Sequence, residues 1–81
     1  MSEADKLFEE LGYEKEIYQN EEKFGGYVSY AYSNDKIFIE FNGFANTLYI
    51  GNNDKENTSD IHLSMQEIKA INMKCKELRM E

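Results

Sequence analysis

The chain has 81 residues, with 16 acids against 9 bases for a formal net charge of −7, 41% hydrophobic and 14% aromatic residues, and no proline. A chain this short buries only about 60–65% of its unfolded surface, so a single domain over residues 1–81 with a thin core is expected. No apolar run approaches the ~20 residues of a spanning helix, which argues against a membrane protein, and the apolar content is too high for a disordered one.

The charge is uneven. Residues 1–22 hold eight acids (Glu3, Asp5, Glu9, Glu10, Glu14, Glu16, Glu21, Glu22) and two bases, a local −6, whereas residues 64–81 hold three acids and four bases. Neutralising nucleic-acid phosphates requires clustered Lys and Arg, so a chain with one arginine and this balance is not expected to bind nucleic acid directly. Cys75 is the only cysteine, which leaves no intramolecular disulfide. The opening Met-Ser-Glu-Ala-Asp lacks the basic and apolar regions of a signal peptide, so a cytoplasmic location is expected. The glycosylation sequon Asn57-Thr58-Ser59 carries no weight without secretion.

Residues 3–11 predict a short helix: Ala4, Leu7, Phe8 and Leu11 form one apolar stripe, Ser2 is the N-cap, and Gly12 suits the C′ position. Residues 14–19 form a charged candidate strand suited to a sheet edge, because charged side chains discourage pairing with other chains. Residues 20–26 read as a turn. Residues 27–32 and 36–41 are rich in β-branched and aromatic side chains and read as strands. A two-residue Asn34-Asp35 turn would set Tyr32 against Ile37, Tyr30 against Ile39 and Val28 against Phe41, all on one face.

Residues 47–51 give the next strand. A Gly43–Asn46 loop sets Leu48 opposite Phe41 and Ile50 opposite Ile39; a tighter Asn42-Gly43 turn would bury Asn46, and the longer loop is preferred. Residues 51–60 read as a polar loop, with Ile61-His62-Leu63 as a possible short extended piece. Ser64-Met65-Gln66-Glu67 spells a capping box that opens a helix over 65–79, with Met65, Ile68, Ile71 (or Asn72), Cys75 and Leu78 as its apolar stripe. The whole reads as an α+β fold, α-β-β-β-β-α, an antiparallel four-stranded meander with both terminal helices packed on one face.

The segments Ala4-Asp5-Lys6-Leu7-Phe8-Glu9-Glu10-Leu11-Gly12-Tyr13 and Ser64–Leu78 together resemble small uncharacterised proteins carried by phages and mobile elements of low-GC Gram-positive bacteria. Such proteins tend to close on Leu-Gly-Trp where this chain has Leu78-Arg79-Met80. The resemblance covers about a third of the chain and implies a phage or prophage setting. It brings no activity, and so no functional residue.

No catalytic, cofactor or metal set emerges from the residues. His62 could act as a base beside Asp60 or Glu67, but catalysis needs a nucleophile, base and orienting group converging in a cleft, which a small sheet under two helices scarcely offers. Cys75 falls on the apolar stripe and reads as packing. Asn52, Asp54, Glu56 and Asp60 offer oxygen ligands, yet the calcium-loop pattern fails, since its sixth position would be Asn57 and its twelfth Leu63. If Val28, Tyr30, Tyr32, Ile37, Ile39, Phe41, Leu48 and Ile50 point at the helices, then Tyr18, Tyr27, Ala31, Phe38, Glu40 and Tyr49 point away, with Ser29 and Thr47 at their margin. Aromatic residues are enriched at interface centres, so this face is the expected surface for a protein partner or a homodimer in a non-enzymatic interaction protein. The alternative is an acidic inhibitor in which Glu9, Glu10, Glu14 and Glu16 imitate the charge of DNA.

Overall fold

The structure, a computed structural model, describes residues 2–20, 27–43, 45–53 and 60–79. Residues 21–26 of the expected 20–26 turn and residues 54–59 of the expected loop lie outside the described residues, and Asn20, expected in the turn, is the last residue of the first strand. The elements are α1 (Glu3–Glu10), β1 (Glu14–Asn20), β2 (Tyr27–Ser33), β3 (Ile37–Asn42), β4 (Thr47–Asn52) and α2 (Met65–Leu78). The strands form one antiparallel sheet in the order β1-β2-β3-β4, and the α-β-β-β-β-α meander is as the sequence predicts.

α1 is held at both ends. The Asp5 amide donates to Ser2 Oγ at 3.0 Å. At the other end Gly12 has φ +89°, Tyr13 N donates to Phe8 O at 2.9 Å and Gly12 N donates to Glu9 O at 3.0 Å. That pattern is a Schellman closure, and the left-handed residue in it favours glycine. It reverses the chain directly into β1, so that Phe8 stacks on Tyr32 of β2 with ring centroids 4.1 Å apart.

The β2–β3 register differs from expectation. The turn is Asp35-Lys36, and Tyr32 faces Ile39, Tyr30 faces Phe41 and Ser33 faces Phe38. The cause is the Asn34 side chain. Its Oδ1 accepts from the amides of Lys36 at 2.8 Å and Ile37 at 2.7 Å, so Asn34 closes the turn instead of occupying it. Asn53 locks the arrangement by donating from Nδ2 to Asn34 O at 2.9 Å. The pairing moves by two residues, and a shift of two leaves every side chain on its expected face. The β3–β4 register is as expected, with Phe41 opposite Leu48 and Ile39 opposite Ile50.

α2 starts with the expected capping box: Glu67 N donates to Ser64 Oγ at 3.1 Å and Ser64 N donates to Glu67 Oε1 at 2.7 Å. Its inward face is rotated from the predicted stripe. Met65 is 77% exposed and Ile68 39%, whereas Ala70, Ile71 and Lys74 are buried. The rotation follows from two polar attachments, Tyr13 to Glu67 and Asp5 to Lys74, which seat the Glu67–Lys74 side of the helix on the core. Ile71, Cys75 and Leu78 keep their predicted place against that core, and of the two alternatives Ile71 and Asn72 it is Ile71 that turns inward. Ile61 and Leu63 also pack on it, without forming a strand. The core joins Phe8, Tyr13, Tyr32, Ile37, Ile39, Phe41, Ala70 and Ile71, so both helices lie on one side of the sheet.

Candidate functional site

The sheet face turned away from this core is the surface that the sequence singles out. Cross-strand pairing arranges it in lines. Glu16, Ala31, Glu40 and Tyr49 run across the four strands. One step along are Tyr18, Ser29, Asn42 and Thr47, and one step back are Glu14, Ser33, Phe38 and Gly51. Every β2 position in these lines is small. β1 and β3 on either side carry Glu14, Glu16, Tyr18, Phe38 and Glu40, so β2 is a low line, the channel of this face, between aromatic and carboxylate side chains.

Tyr18 is 47% exposed and Tyr49 59%, while Phe38 and Glu40 are half-buried. Ala31 departs from expectation. It faces the predicted side but is only 3% exposed, because its methyl group lies between the taller Glu16 and Glu40. It is floor, not contact surface, and Ser29 is buried in the same way. The Tyr27 side chain lies outside the described residues. Phe38 and Tyr49 pack with ring centroids 6.1 Å apart and planes tilted by 60°. The Tyr49 ring folds over Gly51, where an added Cβ would meet Tyr49 Oη at 2.7 Å. The Tyr18 hydroxyl donates to the Glu16 carboxylate, and that hydrogen bond above all raises the Tyr18 pKa. Aromatic and anionic groups therefore alternate closely on this face.

The four acids of the alternative reading are all exposed, but they do not form one surface. Glu9 and Glu14 line a groove of about 490 Å³ between α1 and the sheet, with Lys15 and Asp5 beside them. Glu10 is on α1, and Glu16 is on the channel face hydrogen-bonded to Tyr18. A second groove, of about 480 Å³, sits at the hairpin end among Gly12, Glu14, Ser33 and the 34–36 turn.

The sequence reading missed a polar cluster on the helix side. Asp5 of α1 pairs with Lys15 of β1 at 2.6 Å and with Lys74 of α2 at 3.3 Å, and it accepts from the Tyr32 hydroxyl. Lys74 is buried, lies 4.6 Å from the Tyr30 ring centroid and also meets Glu77 at 3.3 Å. Burial alone would raise the Asp5 pKa, but the hydrogen bonds from Lys15 and Tyr32 and the Lys74 charge outweigh it and hold it at about 2. Burial first, then the bond to Asp5, raises the Tyr32 pKa. A helical wheel centred on Ile71 rather than Met65 would have placed Lys74 inward. The pairing with Asp5 has no sequence signature. The cluster ties four elements together and is satisfied: among the described residues no buried side-chain polar atom lacks a partner.

His62 is exposed and Cys75 is part-buried against the core. The Glu67 carboxylate, an expected neighbour for His62, is engaged by Tyr13 and by the Ser64 amide. Burial opposes its ionisation, yet these hydrogen bonds lower its pKa. Among the described residues no group of three His, Cys, Asp or Glu side chains is placed to hold a metal; Asp54 and Glu56 of the oxygen-rich loop lie outside them. No helix among the described residues is long and apolar enough to cross a membrane. Comparisons with protein-family models, curated proteins and solved structures give no match.

Proposed function

We propose that the chain is a non-enzymatic, cytoplasmic protein-interaction domain of phage or prophage type, which binds a protein partner or itself through the channel face of its sheet. The observation that carries this reading is the pair of exposed rings Tyr18 and Tyr49, backed by Phe38, on the side of the sheet away from both helices. A folded domain of this size gains from burying its aromatic rings, and the helix side buries Phe8, Tyr13 and Tyr32. Rings left outside on a small-floored channel suit a partner that completes their burial. The test is Phe38→Glu or Tyr49→Glu. Each variant keeps the circular dichroism and melting behaviour of the parent and loses association in affinity capture and light scattering. Association at parental strength in both variants would remove the channel face from the reading.

The second reading is an acidic mimic of DNA that blocks a nucleic-acid-binding protein. The observation in its favour is the convergence of Glu9 and Glu14 on one groove. It requires a partner whose capture weakens steeply with salt and is lost on reversing Glu9, Glu10, Glu14 and Glu16. Salt-insensitive capture counts against it. The turning of Glu16 onto the channel face makes it the weaker of the two.

A further inference from the structure

The side of the molecule opposite the channel carries a second exposed patch. Met65, Lys69, Asn72 and Lys76 follow along α2 at positions i, i+4, i+7 and i+11, with Ile68 and Arg79 beside them, and all six are exposed. This stripe holds three bases and no acid, although the chain as a whole is at −7. None of the three bases enters an ion pair among the described residues; the buried Lys74 and its partners are on the other side of the helix. The channel face is its counterpart. Glu14, Glu16 and Glu40 supply three carboxylates, also outside any ion pair among the described residues, and its three lines hold no base.

We propose that the occupant of the channel is a second copy of this chain, whose α2 stripe lies along β2 in a head-to-tail contact. This rests on the reading of the channel as a docking face and names what fills it. The lengths agree: 14 helical residues extend about 21 Å and six or seven strand residues about 20 Å. Met65, the most exposed apolar side chain described, then packs on the exposed Tyr49 ring, since flexible thioethers make favourable contacts with aromatic rings. Lys69, Lys76 and Arg79 then face carboxylates and rings together, a combination that attracts cations twice over. The acids of α1 belong to neither patch, and their repulsion is screened beyond about 8 Å at physiological ionic strength. Because the two patches are on opposite sides, the contact is heterologous. Each added copy leaves one channel and one stripe free, so growth proceeds to a ring or an open chain.

Sedimentation velocity of the full chain tests this from ~10 µM to ~1 mM, the range in which a small, partly polar contact associates. The expected result is a weight-average mass that rises with concentration and falls back in ~0.5 M salt. Glu40→Lys and Lys76→Glu, both at exposed or half-buried sites, each sediment as monomers with unchanged circular dichroism. Their equimolar mixture regains association, because one retains its stripe and the other its channel. A parent that stays monomeric at ~1 mM in low salt overturns the inference. So does a Lys76→Glu variant that still self-associates, which would mean sheet-to-sheet pairing. A monomeric parent that captures another protein in a Phe38-dependent manner overturns the inference and leaves the proposed function standing. If neither self-association nor Phe38-dependent capture occurs, both fall.

Discussion

Asp5 and Lys74 are 69 positions apart in the chain and 3.3 Å apart in space, one on each terminal helix. Their side chains are only 12% and 6% exposed, and the same carboxylate also holds Lys15 and the Tyr32 hydroxyl. A single acid thus links the two terminal helices to one another and to the sheet. Removing one partner of a buried pair costs more than the pair contributes, because the other charge stays behind without compensation.

The two members of this pair are therefore unequal. Asp5→Ala leaves Lys74 with Glu77 and the Tyr30 ring and is expected to lower unfolding free energy by about 3 kcal/mol. Lys74→Met keeps the length and apolar stem, leaves Asp5 with Lys15 and Tyr32, and is expected to cost less than about 1 kcal/mol. Urea denaturation of both variants checks the order. Equal losses would mean that the ion pair, rather than the Asp5 hub, anchors α2.

The cluster also sets the response to pH. Asp5 has a folded pKa of about 2 against an ordinary 3.8, so the unfolded chain binds the proton first as pH falls. Its contribution is complete above 3.8 and is lost as pH drops toward 2; after solvent screening it amounts to about 1 kcal/mol. The lowered Glu67 pKa acts in the same direction. Tyr13 and Tyr32 have the opposite sign. Their pKa values are raised above 10, so the stability they confer is present below pH 10 and fades as pH rises beyond it. The melting temperature is expected to be flat between these limits and to fall outside them. In an ultraviolet titration of the six tyrosines, Tyr13 and Tyr32 ionise only with unfolding. Substituting both by Phe and finding the same alkaline limb would dismiss this assignment.

The fold was legible in the sequence because its signals are local. The capping box at Ser64, the glycine after Leu11 and the alternation through Tyr30, Tyr32, Ile37, Ile39 and Phe41 each depend on neighbours within a few residues. The period of two also protected the face assignment, since the hairpin error was a shift of two. What was illegible depends on distant partners. Asn34 closes its turn through its own side chain and is then locked by Asn53, 19 residues later. The rotation of α2 depends on Asp5 and Tyr13, which a reading of residues 65–79 alone does not contain. In the candidate surface, parity places Tyr18, Phe38, Glu40 and Tyr49, but parity says nothing of height, and so it does not reveal that Ala31 is sunk between its neighbours.

The rotation of α2 makes its own prediction. Met65 and Ile68 are on the sequence-predicted stripe but exposed, whereas Ala70 is fully buried. Met65→Ala should change unfolding free energy by no more than about 0.5 kcal/mol. Ala70→Leu adds a branched side chain to a filled site beneath the helix and should cost about 1–3 kcal/mol. Thermal melts of the two variants decide between the wheel centred on Ile71 and the one centred on Met65, because the latter reverses the order.

Gly51 gives a way to move the Tyr49 ring, which backs the Phe38 wall of the channel, without touching the core. It is buried by the Tyr49 ring alone among the nearest atoms, with an added Cβ falling 2.7 Å from Oη and 2.9 Å from Cε1. The obstructing atoms belong to the far end of an exposed side chain, so the ring can swing aside at little cost. Replacing a strand glycine also restores about 0.5–1 kcal/mol of backbone entropy. Gly51→Ala is therefore expected to leave stability unchanged or slightly raised while it displaces Tyr49 from its position beside Phe38. Ring-to-ring nuclear Overhauser effects between Phe38 and Tyr49 should disappear. Association through the channel should weaken in the same variant, and a variant that loses the ring contact yet associates like the parent would show that Tyr49 is not part of the docking wall.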